Sequence, residues 1–196
     1  MARSQARVEP PSRRDQLLQA TAAYVLRHGV SRLSLRPLAA AIGTKARLLI
    51  YHFGSRDALV SAALAAILAR IQREFESLQA NVPLDRALLA FWRWATDPAN
   101  APYLRLVFEV HGLAPRQPRM FGGYARNAFV TWRGILTTAL ARSAKTARQK
   151  ELVATVVIAV VDGLLLDYLA TGDRVRTTRA LELFTRRLMQ RQGGLA

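Results

Sequence analysis

Residues 41–60 read AIGTKARLLIYHFGSRDALV, Ala41 to Val60: two apolar runs parted by Gly43-Thr44-Lys45 and closed by the aromatic patch Tyr51-His52-Phe53. Upstream, Ser34 stands before Leu35, Leu38, Ala39 and Ile42, which share one helical face, and Gly43 stops that helix. Thr44 is placed to cap a third helix ending near Phe53, where Gly54-Ser55 breaks it. Two helices of two to three turns joined by a glycine have the length and punctuation of a helix-turn-helix. Ala39 is small where the second helix must cross closely, Gly43 sits where a tight turn favours positive φ, and Leu49 follows as the buried anchor.

At 100° per residue the third helix divides cleanly. Leu49 and Phe53 fall together with Ala46 beside them, forming the core edge. Arg47, Leu48 and Tyr51 point the opposite way, with Lys45 and His52 on one flank and Ile50 on the other. A face of Arg, Leu and Tyr between cations suits a DNA major groove, where Arg forks onto guanine and apolar groups meet thymine methyls. The helix starts at Ser34, Thr44 and Ser55 present free N–H groups to phosphates, although such residues are also ordinary caps. Arg36 and Arg56 follow such starts; Arg36 is either a phosphate contact or a solvated residue.

Composition agrees with a polyanion partner. The chain has 196 residues and a formal net charge of +16, and 51% of it is hydrophobic, enough for a substantial core. Residues 1–60 carry ten basic against three acidic residues, nearly twice the positive density of the remainder. With no cysteine, disulfides and thiolate metal sites are excluded, and a reducing cytoplasm fits. The opening segment lacks the apolar core of a signal peptide. Leu152–Leu166 is too short for a spanning helix and contains Asp162, so no membrane segment is expected.

Helical periodicity runs throughout, giving an all-α reading with about nine helices. Residues 1–11 form a flexible basic arm; its Arg3 and Arg7, with Arg13 and Arg14, either follow phosphates or a minor groove or have no role. Ser12 to Asp15 reads as a capping box. The first helix ends at Gly29, and the long fourth runs from Ser55 to about Leu78. Five more are expected at about 84–95, 102–111, 120–142, 148–170 and 176–191. The expected organisation is a helix-turn-helix domain over 12–60 and a larger helical domain over 61–196.

One helix-turn-helix buries too little DNA for strong specificity, so a homodimer reading a near-palindromic operator is expected. The eighth helix is apolar almost all round, and Thr155, Ala159 and Gly163 recur every four residues as a strip of small groups. The ninth adds a stripe of Leu181, Phe184 and Leu188. These two helices are expected to form a four-helix bundle with their copies.

The stretch LLQATAAYVLRHGVSRLSLRPLAAAIGTKARLLIYHFGSRDAL, Leu17 to Leu59, resembles the DNA-binding domain of the TetR (tetracycline-repressor) family of transcriptional regulators. The resemblance rests on the glycine after the first helix, the Ala-x3-Gly turn and the YHFGSRDAL entry into the fourth helix. It implies that Lys45, Ala46 and Arg47 open the recognition helix towards base edges. It further implies that Tyr51 and His52 touch bases or backbone, and that Arg56 meets a phosphate. Two positions depart from the family's pattern: Ile50 stands where a phosphate-binding Tyr is common, and Lys45 where a small hydroxyl residue is common.

The resemblance also implies double-stranded DNA and an unknown small-molecule effector as partners, with the effector held among helices four to eight and repression as the default action. Helices five to seven are rich in aromatics; Phe91, Phe108, Tyr124 and Trp132 are the pocket candidates, with Glu109, His111 or Asp162 as polar handles. Asp162 alternatively bonds across the dimer, and His111 alternatively caps its helix. Trp92 and Trp94 lie about 200° apart on a helix, so one of them should fall outside any cavity.

Two rivals stay open from the residues alone. An enzyme finds little support: the three histidines fall on separate helices, and no metal-ligand spacing, phosphate loop or Gly-x-Ser-x-Gly is present, so no cofactor is expected. A basic protein that coats any duplex alike predicts salt-dependent binding without sequence preference.

Overall fold

The computed structural model describes residues 11–31, 33–79, 82–141 and 146–190, the side chains of 74–79 excepted. Most of the expected basic arm, with Arg3 and Arg7, lies outside the described residues. Among the described residues the fold is all-α: α1 (Arg13–His28), α2 (Leu35–Ala41), α3 (Ala46–Phe53), α4 (Arg56–Gln79), α5 (Leu84–Ala95), α6 (Ala101–Leu113), α7 (Pro118–Ala139), α8 (Ala147–Thr171) and α9 (Arg174–Gln190), with a 3₁₀ turn, Pro98–Asn100, before α6.

Local chemistry sets most of these ends. The Ser12 hydroxyl accepts from the Asp15 N–H at 3.2 Å and donates to the Asp15 carboxylate at 2.6 Å, so the acid reaches the hydroxyl of its cap. Asp97 accepts from the Ala99 N–H at 2.9 Å to start the 3₁₀ turn. Thr146 and Gln149 close a full capping box at α8, and Gly172 ends that helix in the left-handed conformation. The expected break at Gly112 does not occur, because α6 continues to Leu113; Pro118, in the first turn, starts α7. Arg13 and Arg14 belong to α1 rather than to an arm: Arg13 bonds Gln16, and the Arg14 guanidinium lies 4.9 Å from the centre of the Phe53 ring.

Two apolar clusters organise the packing. The first gathers α1 to α4 together with Leu106, Val110 and Phe121 from α6 and α7. The second joins α5, α8 and α9 with Leu104, Leu136 and Leu140. The boundary expected at residue 60 falls inside α4, which runs through it unbroken and carries the short N-terminal helices on one end of a single rod.

By length and composition alone α8 is long and apolar enough to cross a membrane, longer than the apolar run visible in the sequence. In the fold it lies between α7 and α9, with Ala154, Val157, Val161 and Leu165 buried in the second cluster. Its opposite side is bare. Thr155, Ala159 and Gly163 are exposed there, flanked by Leu152, Val156 and Leu166, each more than half exposed.

The stripe expected on α9 requires a correction. Leu181 is fully buried within the single chain and serves α9's attachment to its own protomer, whereas Phe184 and Leu188 are half-buried and pack beside it on the same core. The outward apolar residues of α9 include Val175 and Leu183, both also more than half exposed. Spacing alone marked a stripe but not which side of the helix would meet α5 and α8.

Candidate functional site

The turn between α2 and α3 is built from backbone geometry. Gly43 has φ +67°; its N–H donates to the Ala40 carbonyl at 3.3 Å, and the Thr44 N–H reaches the Ala39 carbonyl at 2.8 Å. This pair of bonds is a Schellman closure of α2, which a positive-φ glycine permits. Thr44 therefore finishes α2 instead of capping α3. The N-cap of α3 is Lys45, without a side-chain capping bond, and Ser34 likewise caps α2 with backbone geometry alone.

The short α3 is held by Leu49, fully buried, and by Phe53 beneath Arg14. Its other side stands free: Tyr51 is 80% exposed, Arg47 and Lys45 are exposed, and Ile50 is at the rim. Lys45, Arg47 and Tyr51, with Gly43, Thr44 and Leu48, border a shallow groove. Leu48 and Ala46 are half-buried and lean on the first cluster, so Leu48 belongs to both surfaces. His52 packs edge-on against Tyr51, with ring centres 5.1 Å apart. Ser34 and Arg36 are exposed at the start of α2.

Arg56 makes contacts within the protomer. Its Nε donates to the Leu33 carbonyl at 2.9 Å, its Nη1 pairs with Asp57 at 3.0 Å, and the same nitrogen lies 3.8 Å from the Met120 sulfur of α7. These contacts join α4, the α1–α2 loop and α7, and the side chain stays 36% exposed beside them.

A second feature lies among α4 to α8. Its walls include Phe91, Phe108, His111, Tyr124, Trp132 and Asp162, six of the seven residues expected there. The rings form two groups. Tyr103, Trp94, Phe91 and Trp132 touch in succession at 5.5–6.0 Å between centres. The His111 ring stacks on Phe129 at 4.9 Å and meets Phe108 edge-on. The free volume is about 90 Å³, below the roughly 300 Å³ at which ligand pockets usually begin.

Burial sets the charge states in this cavity. The Asp162 carboxyl is pushed up to about 6 and the Tyr124 phenol up to about 12, while the His111 imidazole is held below its ordinary value. The Nε2 of His111 is buried without a hydrogen-bond partner among the described residues. Trp94 lines the cavity, whereas Trp92 lies outside it, its indole N–H donating to the Thr178 hydroxyl of α9 at 2.8 Å.

Comparison with known proteins places this arrangement. Residues 17–63 match the model of the bacterial regulatory proteins of the tetR family, and residues 83–192 match that of the BetI-type transcriptional repressor C-terminal domain. The chain belongs to the TetR family of transcriptional regulators. It is 29% identical over 177 residues to the nicotine-responsive transcriptional repressor HdnoR of Paenarthrobacter nicotinovorans, covering 84% of this chain and 87% of that one. A transcriptional regulator from Rhodococcus sp. Rha1 shares the fold with TM-score 0.77 at 20% identity, covering 91% of this chain and 97% of the other. The multidrug binding protein EbrR, solved in complex with imidazole, has TM-score 0.64 at 24% identity, with 88% and 89% covered.

In this TetR-family chain, Glu109 is the pocket candidate that the structure moves elsewhere. It turns away from the cavity and accepts from the backbone N–H groups of Val30 (3.1 and 3.2 Å) and Ser31 (2.8 Å), and from the Ser31 hydroxyl. The loop after α1 is thus clasped twice, by Glu109 from α6 and by Arg56 from α4. Sequence reading missed both clasps because each partner is a backbone group remote in the chain. The one local signal was Gly29, whose φ of +74° and ψ of −175° belong to a region essentially reserved for glycine.

Proposed function

We propose that the chain is a homodimeric, cytoplasmic DNA-binding repressor that reads a near-palindromic operator through residues 12–60 and releases it when a small molecule enters the cavity in 61–196. The observation that carries the DNA-reading part is the docking of α3. Leu49 and Phe53 fix the helix, and Arg47 and Tyr51 are left solvent-facing with Lys45 at the helix start. A residue pair so exposed on so firmly held a helix suits base-edge readout in a major groove. Ser34, Arg36, Thr44 and His52 border the same surface and are assigned to phosphate or edge contacts, Ala46 and Leu48 to close approach.

The bare strip of α8, with Thr155, Ala159 and Gly163 at its centre, is assigned to the dimer, supplemented by Leu183 of α9. Small groups let a partner helix approach closely, and the flanking leucines and valine supply apolar area. A twofold pair presents its reading helices about 34 Å apart for successive major grooves.

Transmission follows from shared elements. An effector larger than the present cavity must part its walls, among them α4 and α6. These helices also hold the α1–α2 loop through Arg56 and Glu109, so wall movement reorients α3. By linkage, the factor by which effector weakens DNA binding equals the factor by which DNA weakens effector binding.

Selection of duplexes from a random pool tests this reading. A recovered near-palindrome, bound with about 10³-fold preference or more over background duplex, is the expected result. Uniform binding of all duplexes with only a salt dependence would instead support the sequence-indifferent coating protein.

A further inference from the structure

We propose that the cavity's effector is a compact aromatic molecule carrying one protonated nitrogen, and that Asp162 is the residue that selects for that charge. This rests on the sensor reading above and adds the chemical class of the ligand.

Asp162 borders the cavity from α8 and makes no hydrogen bond or ion pair among the described residues. No Lys or Arg occurs among the described residues lining the cavity. The remaining titratable groups there are His111, Tyr103 and Tyr124, and burial favours the neutral form of His111 and of Tyr124. At neutral pH the carboxylate is therefore the one formal charge on the described walls, since its value near 6 leaves it mostly ionised. A charge taken from water without a counter-charge is costly. A ligand that brings a cation relieves that cost, whereas an anion adds repulsion and a neutral isostere leaves it standing.

The rest of the lining suits the same ligand. Phe91, Trp94 and Trp132 all line the cavity, and aromatic rings attract cations and stack on flat ligands. The unpartnered Nε2 of His111 provides a second polar contact for a ligand heteroatom. The volume of about 90 Å³ favours a single ring over an extended molecule, and even a single ring must part the walls as it enters.

The experiment compares phenethylamine, 2-phenylethanol and 3-phenylpropionate, one ring with a cationic, neutral or anionic tail. The full-length protein is used near neutral pH, and binding is followed by tryptophan fluorescence and thermal shift. Phenethylamine is expected to bind about tenfold or more tightly than 2-phenylethanol, and 3-phenylpropionate most weakly. Asp162→Asn should abolish the preference for the amine over 2-phenylethanol. The inference is overturned if the alcohol or the acid binds as well as the amine, if the Asn variant keeps the preference, or if none of the three binds at millimolar concentration. The three-probe comparison on the parent protein stands even if the variant folds poorly. A neutral probe that displaces the protein from its selected duplex would preserve the sensor reading while sinking the charge selection. Failure to select any duplex would count against the DNA-reading role alone.

Discussion

The carboxylate of Glu109 fills the space that a side chain at Gly29 would need: a Cβ there would lie 2.6 Å from Oε2 and 3.0 Å from Oε1. One glycine thereby allows both the sharp exit from α1 and the approach of α6. Gly29→Ala should cost about 1–3 kcal/mol in backbone strain, plus the loss of the Glu109 bonds as the carboxylate is pushed aside. Glu109→Ala alone should cost about 1–3 kcal/mol, because it strips the Val30 and Ser31 N–H groups, the first part-buried, of a carboxylate acceptor. Urea unfolding of both single variants and the double variant should show strong non-additivity, since either change breaks the same clasp. Additive losses would mean that the two residues act separately.

Arg47 and Tyr51 should matter to DNA and not to folding. Arg47→Ala is expected to lose about 1–3 kcal/mol of discrimination at one operator position, with an unchanged melting temperature. Tyr51→Ala should also leave stability intact, since the ring is 80% exposed. Competition binding with single-base operator variants, alongside thermal melts, separates the two effects.

Arg56→Ala should behave in the opposite manner. The lost bond to the Leu33 carbonyl predicts a stability decrease of about 1 kcal/mol, with weaker operator binding arising from a looser α1–α2 loop. If Arg56 instead met phosphates, the variant would melt like the parent and show a reduced salt slope.

Gly163 offers a clean test of the dimer. A Cβ there meets nothing within 4 Å inside the protomer, so Gly163→Arg should fold normally. Across a closely packed α8 strip the same side chain cannot fit. Sedimentation should show a helical monomer at concentrations where the parent is a dimer, and operator affinity should fall sharply as the second half-site is lost.

Stability should carry the mark of Asp162. Its carboxyl titrates near 3.8 when unfolded and about 6 when folded, so the folded state binds the proton more tightly. Stability from this group is full below about pH 4 and is lost as pH rises to 6. Asp162→Asn should therefore exceed the parent by about 1–3 kcal/mol above pH 6 and match it near pH 4. Taking the difference between variant and parent removes the opposite trend expected from His111, whose lowered value favours the folded state as pH rises. Denaturant melts at the two pH values measure it.

The helix-turn-helix was legible in residues 34–60 because its signals are local. Gly43 must take positive φ, Leu49 and Phe53 must share a face, and Tyr51 must then point away, whatever the rest of the chain does. Composition and periodicity likewise determined an all-α fold, and aromatic density in helices five to seven marked four walls of the cavity, Phe91, Phe108, Tyr124 and Trp132. Only the tertiary structure decided the direction of side chains whose partners lie far off in the chain. Glu109 looked like a pocket handle until the Val30 and Ser31 N–H groups were seen in front of it, and the bond from Arg56 to the Leu33 carbonyl was equally invisible in the sequence. Leu181 looked like an interface residue until α5 and α8 closed over it. Helical spacing states which residues share a face, but which face is covered depends on the packing of other helices.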